Sequence, residues 1–344
     1  MTSTVPNTDA GGAPTGAALA ADGPPGAIKA RGLVKTFKGG IEAVRGIDLS
    51  VRAGEIFGFL GPNGAGKTTT VRMLCTLLPP TAGSARVAGV DVLRDGAEVR
   101  RRIGVALQEI GLDPIQTGRE LLELQCGLYG ISGAAARKRT EELLELLGLA
   151  DAADRRTKTY SGGMKRRLDL ASALVHSPDV LFLDEPTTGL DPASRVTVWD
   201  EVRRINTGGT TIFLTTQYME EADQLCRRLA IIDNGRIVAE GSPEELKDRM
   251  GHDVVSVGLN GADPAATQAA IGELPGLERV MVEQDALALY VEDGPASIAE
   301  IVRRLDRTGV SVGSISVARP TLDDVFLQAT GRRLEGDEEP AAAA

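Results

Sequence analysis

Long apolar runs are missing from this chain of 344 residues. A helix that crosses a bilayer needs about 20 predominantly apolar residues, whereas the apolar stretches here, such as VLFL at 180–183, have only the length of a strand. We therefore expect the chain to be soluble by itself and to act at a membrane only through a partner. Residues 1–26 also lack the positive start and apolar segment of a secretory signal. Their Ala-, Gly-, Pro- and Thr-rich composition predicts a disordered tail.

Cysteine is scarce and basic residues are in the minority. Cys75, Cys126 and Cys226 are an odd number, lie far apart and form no CxxC pair, so buried thiols in a reducing cytoplasm explain them better than disulfides or metal ligands. Acidic residues outnumber basic ones by 48 to 38, which gives a formal net charge of −10. Because phosphate contacts with DNA or RNA need a basic surface, we expect no nucleic-acid partner.

Strand-like and helical patterns alternate along residues 27–250. This alternation predicts a mostly parallel sheet that is covered by helices on both faces. A leucine-rich helical insert at about 109–176 separates the two halves of the predicted sheet. Residues 251–331 show the order strand, helix, strand, strand, helix, strand, which predicts a small α+β domain of the split βαβ type, and a final helix follows. The acidic and alanine-rich residues 332–344 predict a second disordered tail.

The segment GPNGAGKT at 61–68 matches the pattern GxxxxGK[ST] between a predicted buried strand and a predicted helix. Glycines let backbone N–H groups turn inward around an anion, and the start of a helix adds a positive field. Lys67 can then reach the β and γ phosphates of a nucleotide, while the hydroxyl of Thr68 can bind Mg²⁺. The candidate nucleotide-binding residues are Gly61, Pro62, Asn63, Gly64, Ala65, Gly66, Lys67, Thr68 and Thr69.

Two carboxylates, Asp184 and Glu185, follow the apolar residues 180–183. They lie at the strand edge where open α/β sheets bind ligands. Asp184 suits the coordination shell of Mg²⁺, and Glu185 faces another direction, where it can orient or deprotonate an attacking water. Alone, two acidic residues at a strand end are better explained as solvated side chains. Together with the phosphate-binding segment, they predict hydrolysis of a nucleoside triphosphate.

The segment YSGGM at 160–164 opens a predicted helix and resembles the signature sequence of ABC-transporter ATPases. Its serine hydroxyl, glycine amides and helix N-terminus form a second anion site. The resemblance implies that Ser161, Gly162 and Gly163 bind the γ-phosphate of an ATP molecule held by a second copy of the chain. Two head-to-tail copies would then enclose two ATP molecules.

Further residues resemble this family, in the expected order, over about 27–250. The resemblance implies that Phe37 stacks on adenine, that Gln108 senses Mg²⁺, and that Asp191 lies in the loop connecting the two subunits' sites. Each residue also has a simpler interpretation: a core aromatic ring, a surface polar side chain and a helix N-cap, respectively. The implied fold is α/β, a P-loop NTPase core of the ABC-type ATPases with a helical subdomain insert, followed by the small α+β domain.

Finer similarities at 159–164, 183–192, 216–218 and 322–331 resemble the daunorubicin-resistance type. They imply a peripheral subunit at the cytoplasmic face of the cell membrane, bound to a separate polytopic permease that exports antibiotics or other amphipathic compounds. Two alternatives stay open. One is a soluble ABC-type ATPase acting in translation or DNA repair, and the other is a regulatory subunit that does not hydrolyse ATP.

Gln217 stands where the ABC family usually has histidine. An amide can donate an N–H to phosphate or position a water, but it exchanges no proton near neutral pH. Phosphoryl transfer depends mainly on positioning and charge stabilisation, so Glu185 can act as the base while Gln217 assists. The alternative is a site that binds ATP and turns it over very slowly.

The rate of ATP hydrolysis is therefore expected to show no histidine step near the reference pKa of about 6.5. His176 and His252 are the only histidines, and neither lies in a motif. The measurement is the steady-state rate as a function of pH for the parent chain and for His176→Ala. A step in the parent profile that disappears in the variant would contradict the assignment of Glu185 and Gln217.

Overall fold

A computed structural model describes residues 27–109, 111–250, 253–283, 285–310 and 313–331. The tails expected at 1–26 and 332–344, together with His252, lie outside these residues. Among the helices in the described ranges, we find none that combines the length and the apolar character of a membrane span.

The described residues form fourteen strands and eleven α-helices. The strands are β1 Ile28–Thr36, β2 Glu42–Val51, β3 Ile56–Leu60, β4 Ala82–Val87, β5 Val90–Asp91, β6 Ile103–Ala106, β7 Val180–Asp184, β8 Thr211–Thr216, β9 Arg228–Asp233, β10 Arg236–Gly241, β11 Asp253–Gly258, β12 Leu277–Val282, β13 Ala286–Val291 and β14 Ser314–Ala318. The helices are α1 Lys67–Leu74, α2 Gly96–Arg102, α3 Gly118–Leu128, α4 Gly133–Leu146, α5 Gly162–Leu174, α6 Pro192–Thr207, α7 Met219–Leu225, α8 Pro243–Asp248, α9 Pro264–Ile271, α10 Gly294–Thr308 and α11 Leu322–Thr330.

The central sheet has the strand order β10-β9-β3-β8-β7-β6, in which only β10 runs antiparallel to its neighbour. Strands β3 and β7 are buried along their whole length, which explains why their sequences are continuously apolar. The predicted, mostly parallel sheet is thus confirmed. The carboxyl ends of β3, β7 and β8 lie side by side, so the segments that follow them meet at one edge of the sheet.

A second sheet, of antiparallel strands in the order β2-β1-β4-β5, was not predicted. Its apolar side chains share a core with β3 and α1. The sequence of β4, AGSARV, buries only two of its six side chains fully. Small and polar residues dominate it, so its pattern does not distinguish a strand from a loop.

The helical insert consists of α3, α4 and α5 between β6 and β7. The leucines of α3 belong to two groups that differ in exposure. Leu121 and Leu122 are buried in the insert core, whereas Leu124 and Leu128 are 50% and 72% exposed. The exposed pair is available for contact with another molecule.

The last sheet has the order β12-β13-β11-β14, with antiparallel pairing throughout, as in a split βαβ unit. Side chains of β11 and β13 on one face form a core with α9 and α10. On the other face, Val254 and Tyr290 join a cluster that includes Leu246 and Phe326. The residue at which the ATPase-like unit ends and this unit begins stays a prediction.

Tyr290 joins β13 to α11, because its hydroxyl donates a hydrogen bond to Asp324 Oδ1 at 3.0 Å. Both side chains are buried, and burial together with the carboxylate raises the pKa of Tyr290. The other carboxylate oxygen of Asp324 accepts from the backbone N–H and hydroxyl of Thr321.

Tyr290→Phe is expected to lower the free energy of unfolding by about 2 kcal/mol, since Asp324 Oδ1 loses its donor while remaining buried. The measurement is chemical denaturation of both proteins. Tyr129→Phe is the matched control, because the Tyr129 ring is 43% exposed and surface changes usually stay within about 0.5 kcal/mol. Equal losses in the two variants would contradict the role of the Tyr290 hydroxyl.

Candidate functional site

The segment between β3 and α1 lines a cavity of about 220 Å³ at the carboxyl edge of the central sheet. Residues from the predicted phosphate-binding segment meet there with the predicted Mg²⁺ sensor and the predicted base. The lining residues are Ala43, Pro62, Asn63, Gly64, Gly66, Lys67, Thr68, Thr69, Gln108 and Glu185.

Two glycines of this segment are required by close backbone contacts. A Cβ atom on Gly61 would lie 2.2 Å from the carbonyl oxygen of Ile232, and one on Gly66 would lie 2.5 Å from that of Ala43. Gly66 also has φ +109°, in the region that favours glycine. It is the N-cap of α1, so the segment leads directly into a helix N-terminus that faces the cavity with its positive field.

Lys67 and Glu185 form a buried ion pair, with Nζ and Oε1 3.1 Å apart. The ammonium group also donates to the carbonyl oxygens of Gly61 at 2.7 Å and Pro62 at 3.1 Å, so protein atoms occupy all three of its donors. Burial lowers the pKa of Lys67, although the nearby Glu185 carboxylate opposes that shift. A phosphate group entering the cavity has to replace these partners.

Asp184 has one satisfied carboxylate oxygen and one without a partner. Oδ1 accepts from the hydroxyls of Thr215 at 2.5 Å and Thr68 at 3.3 Å. Oδ2 is buried and has no hydrogen-bond partner among the described residues, which is unfavourable unless a cation or water joins it. A carboxylate oxygen beside a threonine hydroxyl is a donor set that fits Mg²⁺.

The backbone of Glu185 has φ +50°, which is uncommon outside glycine. Pro186 follows it and restricts its conformation further. The Glu185 N–H donates to the carbonyl and hydroxyl oxygens of Thr215, both at 3.1 Å. Its Oε2 accepts from Nε2 of Gln108 at 3.2 Å and from the hydroxyl of Thr188 at 3.4 Å. Lys67 on Oε1 and the Gln108 and Thr188 donors on Oε2 thus fix the position of the Glu185 carboxylate.

The serine-glycine segment lies outside the lining of this cavity. Ser161 is exposed and forms the N-cap of α5, where its hydroxyl accepts from the N–H of Met164 at 3.2 Å. Gly163 is buried against Ser194, whose hydroxyl would lie 3.0 Å from an added Cβ. Gly162 is exposed beside it. Asp191 is the N-cap of α6 and accepts from the N–H and hydroxyl of Ser194.

Phe37 and Gln217 are also absent from the residues that line the cavity. Phe37 follows β1 and is 41% exposed, which argues against its interpretation as a core aromatic ring. Gln217 is half-buried between β8 and α7. Ala65 belongs to the phosphate-binding segment but is buried beneath it.

Sequence reasoning missed Thr215 and Arg195. The Thr215 hydroxyl donates to the Asp184 carboxylate and accepts from the N–H of Glu185. A threonine at the end of a strand nevertheless carries no distinctive sequence signal. Arg195 lies 4.2 Å from the centroid of the Tyr218 ring, next to Gln217, a distance that permits a cation–π contact. No rule of sequence spacing would have predicted that Arg195 and Tyr218 lie in contact.

Comparison with known proteins agrees with this geometry. A family model described as ABC transporter matches residues 44–188, and one described as the C-terminal domain of DrrA1-3-like ATP-binding proteins matches 241–330. The post-hydrolysis dimer of the ATP-binding cassette MJ0796, solved with ADP and Pi, has a TM-score of 0.58 and 27% sequence identity. The match covers 62% of this chain and 98% of that one.

Two similar proteins carry export or resistance names. The daunorubicin/doxorubicin resistance ATP-binding protein DrrA of Streptomyces peucetius is 47% identical, over 93% of this chain and 97% of its own length. The Nod factor export ATP-binding protein I of Paraburkholderia xenovorans is 43% identical, over 88% and 96%, respectively. ATP hydrolysis is characteristic of such cassettes. The chain therefore belongs to the ABC transporter ATPases, and among them to the daunorubicin/doxorubicin-resistance type.

Proposed function

We propose that this chain is the ATP-hydrolysing subunit of an exporter that moves an antibiotic or another amphipathic compound through a separate polytopic membrane subunit. The observation that carries the proposal is the meeting of Lys67, Thr68, Asp184 and Glu185 at one sheet edge. The resistance and export names of the relatives support the direction and the class of compound. The chain would act at the cytoplasmic face of the membrane, bound to that subunit.

ATP binding would begin with an exchange of partners at Lys67. The β and γ phosphates compete with Glu185 for the ammonium group, and they also receive backbone N–H groups at the start of α1. Glu185 then loses its cation but keeps its hydrogen bond from Gln108. Its free oxygen can accept a proton from a water whose oxygen attacks the γ-phosphorus, while the bond to the β–γ bridging oxygen breaks.

Mg²⁺ would be held by Asp184 and Thr68, and it would neutralise developing charge on the phosphate oxygens. The unpartnered Asp184 Oδ2 supports this assignment. Gln108 is the third candidate ligand through its amide oxygen, since its Nε2 donates to Glu185. Thr215 would keep the Asp184 carboxylate oriented from the opposite side.

A second copy of the chain would complete each site in a head-to-tail dimer. Ser161 and Gly162 are exposed and lie outside the cavity of their own chain, which leaves them available for the γ-phosphate held by the other copy. Asp191 would lie at the same interface, close to Ser161. Phe37 would stack on the adenine, and Gln217 would donate an N–H to the γ-phosphate or position the water.

The membrane subunit would dock in a groove of about 380 Å³ between the helical insert and the central sheet. We call this the insert groove and define it by Leu77, Leu107, Gln125 and Tyr129, which are among its lining residues. Leu77 is 55% exposed and Tyr129 is 43% exposed, so apolar surface is presented to solvent there. Because Leu107 precedes Gln108, a partner in this groove would lie one residue from the nucleotide cavity.

Glu185→Gln is expected to lower the rate of ATP hydrolysis at least about 100-fold, the usual contribution of a general base. ATP binding should persist, so the variant should accumulate as an ATP-bound dimer. The measurements are phosphate release and size-exclusion chromatography with ATP and Mg²⁺. Glu220→Gln, which changes an exposed carboxylate at the start of α7, should match the parent. Hydrolysis by Glu185→Gln at the parental rate would remove Glu185 as the base.

A crosslink between copies is expected when Ser161→Cys is combined with Asn63→Cys in a Glu185→Gln chain. Asn63 is chosen beside Gly64, because the φ of +80° at Gly64 disfavours any side chain. The native cysteines are all buried, so they should not compete for the reagent. The measurement is the yield of crosslinked dimer with and without ATP.

Ser132→Cys replaces Ser161→Cys in the control for this crosslink. Ser132 is also an exposed serine at a helix N-cap, at the start of α4. The control pair should give no ATP-dependent product. An ATP-bound protein that never crosslinks through Ser161→Cys and Asn63→Cys would show that the proposed dimer does not form.

A further inference from the structure

Arg166 is a buried cation on α5 that belongs to none of the motifs considered so far. Its side chain is only 3% exposed. Nε donates to the carbonyl oxygen of Pro186 at 3.0 Å, and Nη2 donates to that of Asp184 at 3.2 Å. Nη1 donates to the carbonyl oxygen of Leu107 at 2.6 Å and to Asp169 Oδ2 at 3.2 Å. The planar guanidinium therefore holds three separate segments of the chain together.

The acceptors of Arg166 surround the proposed base. Asp184 and Pro186 are the two neighbours of Glu185 in sequence, and Leu107 precedes Gln108, whose amide donates to the Glu185 carboxylate. The positive φ of Glu185 requires surrounding structure to hold it. Arg166 restrains the backbone on either side of Glu185 by donating to the carbonyl oxygens of Asp184 and Pro186. Thr215 restrains Glu185 itself by accepting hydrogen bonds from its N–H.

Arg166 is also five residues from Ser161 on the same element, since Ser161 is the N-cap of α5. The N-terminal turns of α5 are thus attached at one end to the exposed serine and at the other to the backbone around Glu185. A helix transmits a small shift at its N-terminus to side chains in the next turn because its backbone hydrogen bonds keep it rigid.

We propose that Arg166 is a positioning residue that couples the two ATP sites of the dimer. When the tip of α5 engages the ATP held by the second copy, Arg166 moves with α5 and aligns the Glu185 of its own chain. Each site then hydrolyses ATP only when the other is filled. This inference rests on the proposed function, because it needs both the head-to-tail dimer and Glu185 as the base.

Arg167 provides a matched control for Arg166. It is the next residue of α5 and carries the same charge, but Nη1 donates to the carbonyl oxygens of Leu147 at 3.0 Å and Gly148 at 3.3 Å. Both acceptors lie in the helical insert, away from the nucleotide cavity. A lysine at either position keeps the positive charge but loses the planar set of N–H donors that the guanidinium provides.

The test compares Arg166→Lys with Arg167→Lys by steady-state ATP hydrolysis over a range of ATP concentrations. For Arg166→Lys we expect kcat to fall at least about tenfold, as for a base misplaced by a fraction of an ångström. The Hill coefficient should fall from near two, the limit for two sites, towards one. The dissociation constant of ATP should stay within about threefold, a change of less than 1 kcal/mol. Arg167→Lys should match the parent in all three quantities.

A double variant separates this inference from the function on which it rests. Since Arg166 acts through Glu185, adding Arg166→Lys to Glu185→Gln should cause no further loss of hydrolysis. If Glu185→Gln alone hydrolyses ATP normally, the proposed function fails. If Glu185→Gln is inactive but Arg166→Lys keeps the parental kcat and Hill coefficient, only the coupling role of Arg166 is wrong.

Arg166→Gln is the second variant, to be used if Arg166→Lys does not fold. Its neutral amide can still donate to backbone carbonyl oxygens, although Asp169 loses its cation. The same loss of cooperativity with retained ATP binding is expected. If both variants lose ATP binding and thermal stability together with kcat, Arg166 has a purely structural role and the proposal is overturned.

Discussion

The buried ion pair between Lys67 and Glu185 is the interaction on which the rest of the site depends. Two opposite charges removed from water cost more than their attraction returns unless further hydrogen bonds complete their shells. Backbone carbonyl oxygens of the glycine-rich turn do this for Lys67, and the amide of Gln108 does it for Glu185. The ion pair and its hydrogen bonds therefore link the phosphate-binding segment, the acidic end of β7 and the start of the insert. A nucleoside triphosphate can bind only by replacing the present partners of Lys67.

Residues 61–68 and 180–185 could be recognised from sequence because local rules determine them. Gly66 has no substitute because an added Cβ would lie 2.5 Å from the carbonyl oxygen of Ala43, and a strand buried on both faces is continuously apolar. The positive φ of Glu185 and the contacts of Arg166 carry no such local signal. They arise from segments far apart in the chain, and they exist only after the sheet has brought those segments together. The presence of glutamine at position 217, where the ABC family usually has histidine, is likewise visible in sequence. The contact between the Arg195 guanidinium and the ring of the neighbouring Tyr218 is not.

The helical insert illustrates a second limit of sequence reasoning. Leu121 and Leu128 are seven residues apart and would occupy the same face of an ideal helix. One is 5% exposed and the other is 72% exposed, although Cys126 in the same last turn of α3 is fully buried. Periodicity predicts the helix but not which positions on its apolar face are covered by neighbouring elements, so the exposed apolar surface becomes visible only in the folded chain.

The shared cluster between α8, α11 and the last sheet has a consequence for how such chains can be rearranged. Leu246 and Met250 precede β11 in sequence and are buried in the same cluster as Val325 and Phe326. A chain that ends near residue 250 would lack α11 and expose Leu246 and Met250, and exposed apolar surface of this kind favours aggregation. Because residues before and after β11 bury this cluster together, joining this ATPase to another partner requires the C-terminal sheet and α11 to stay attached.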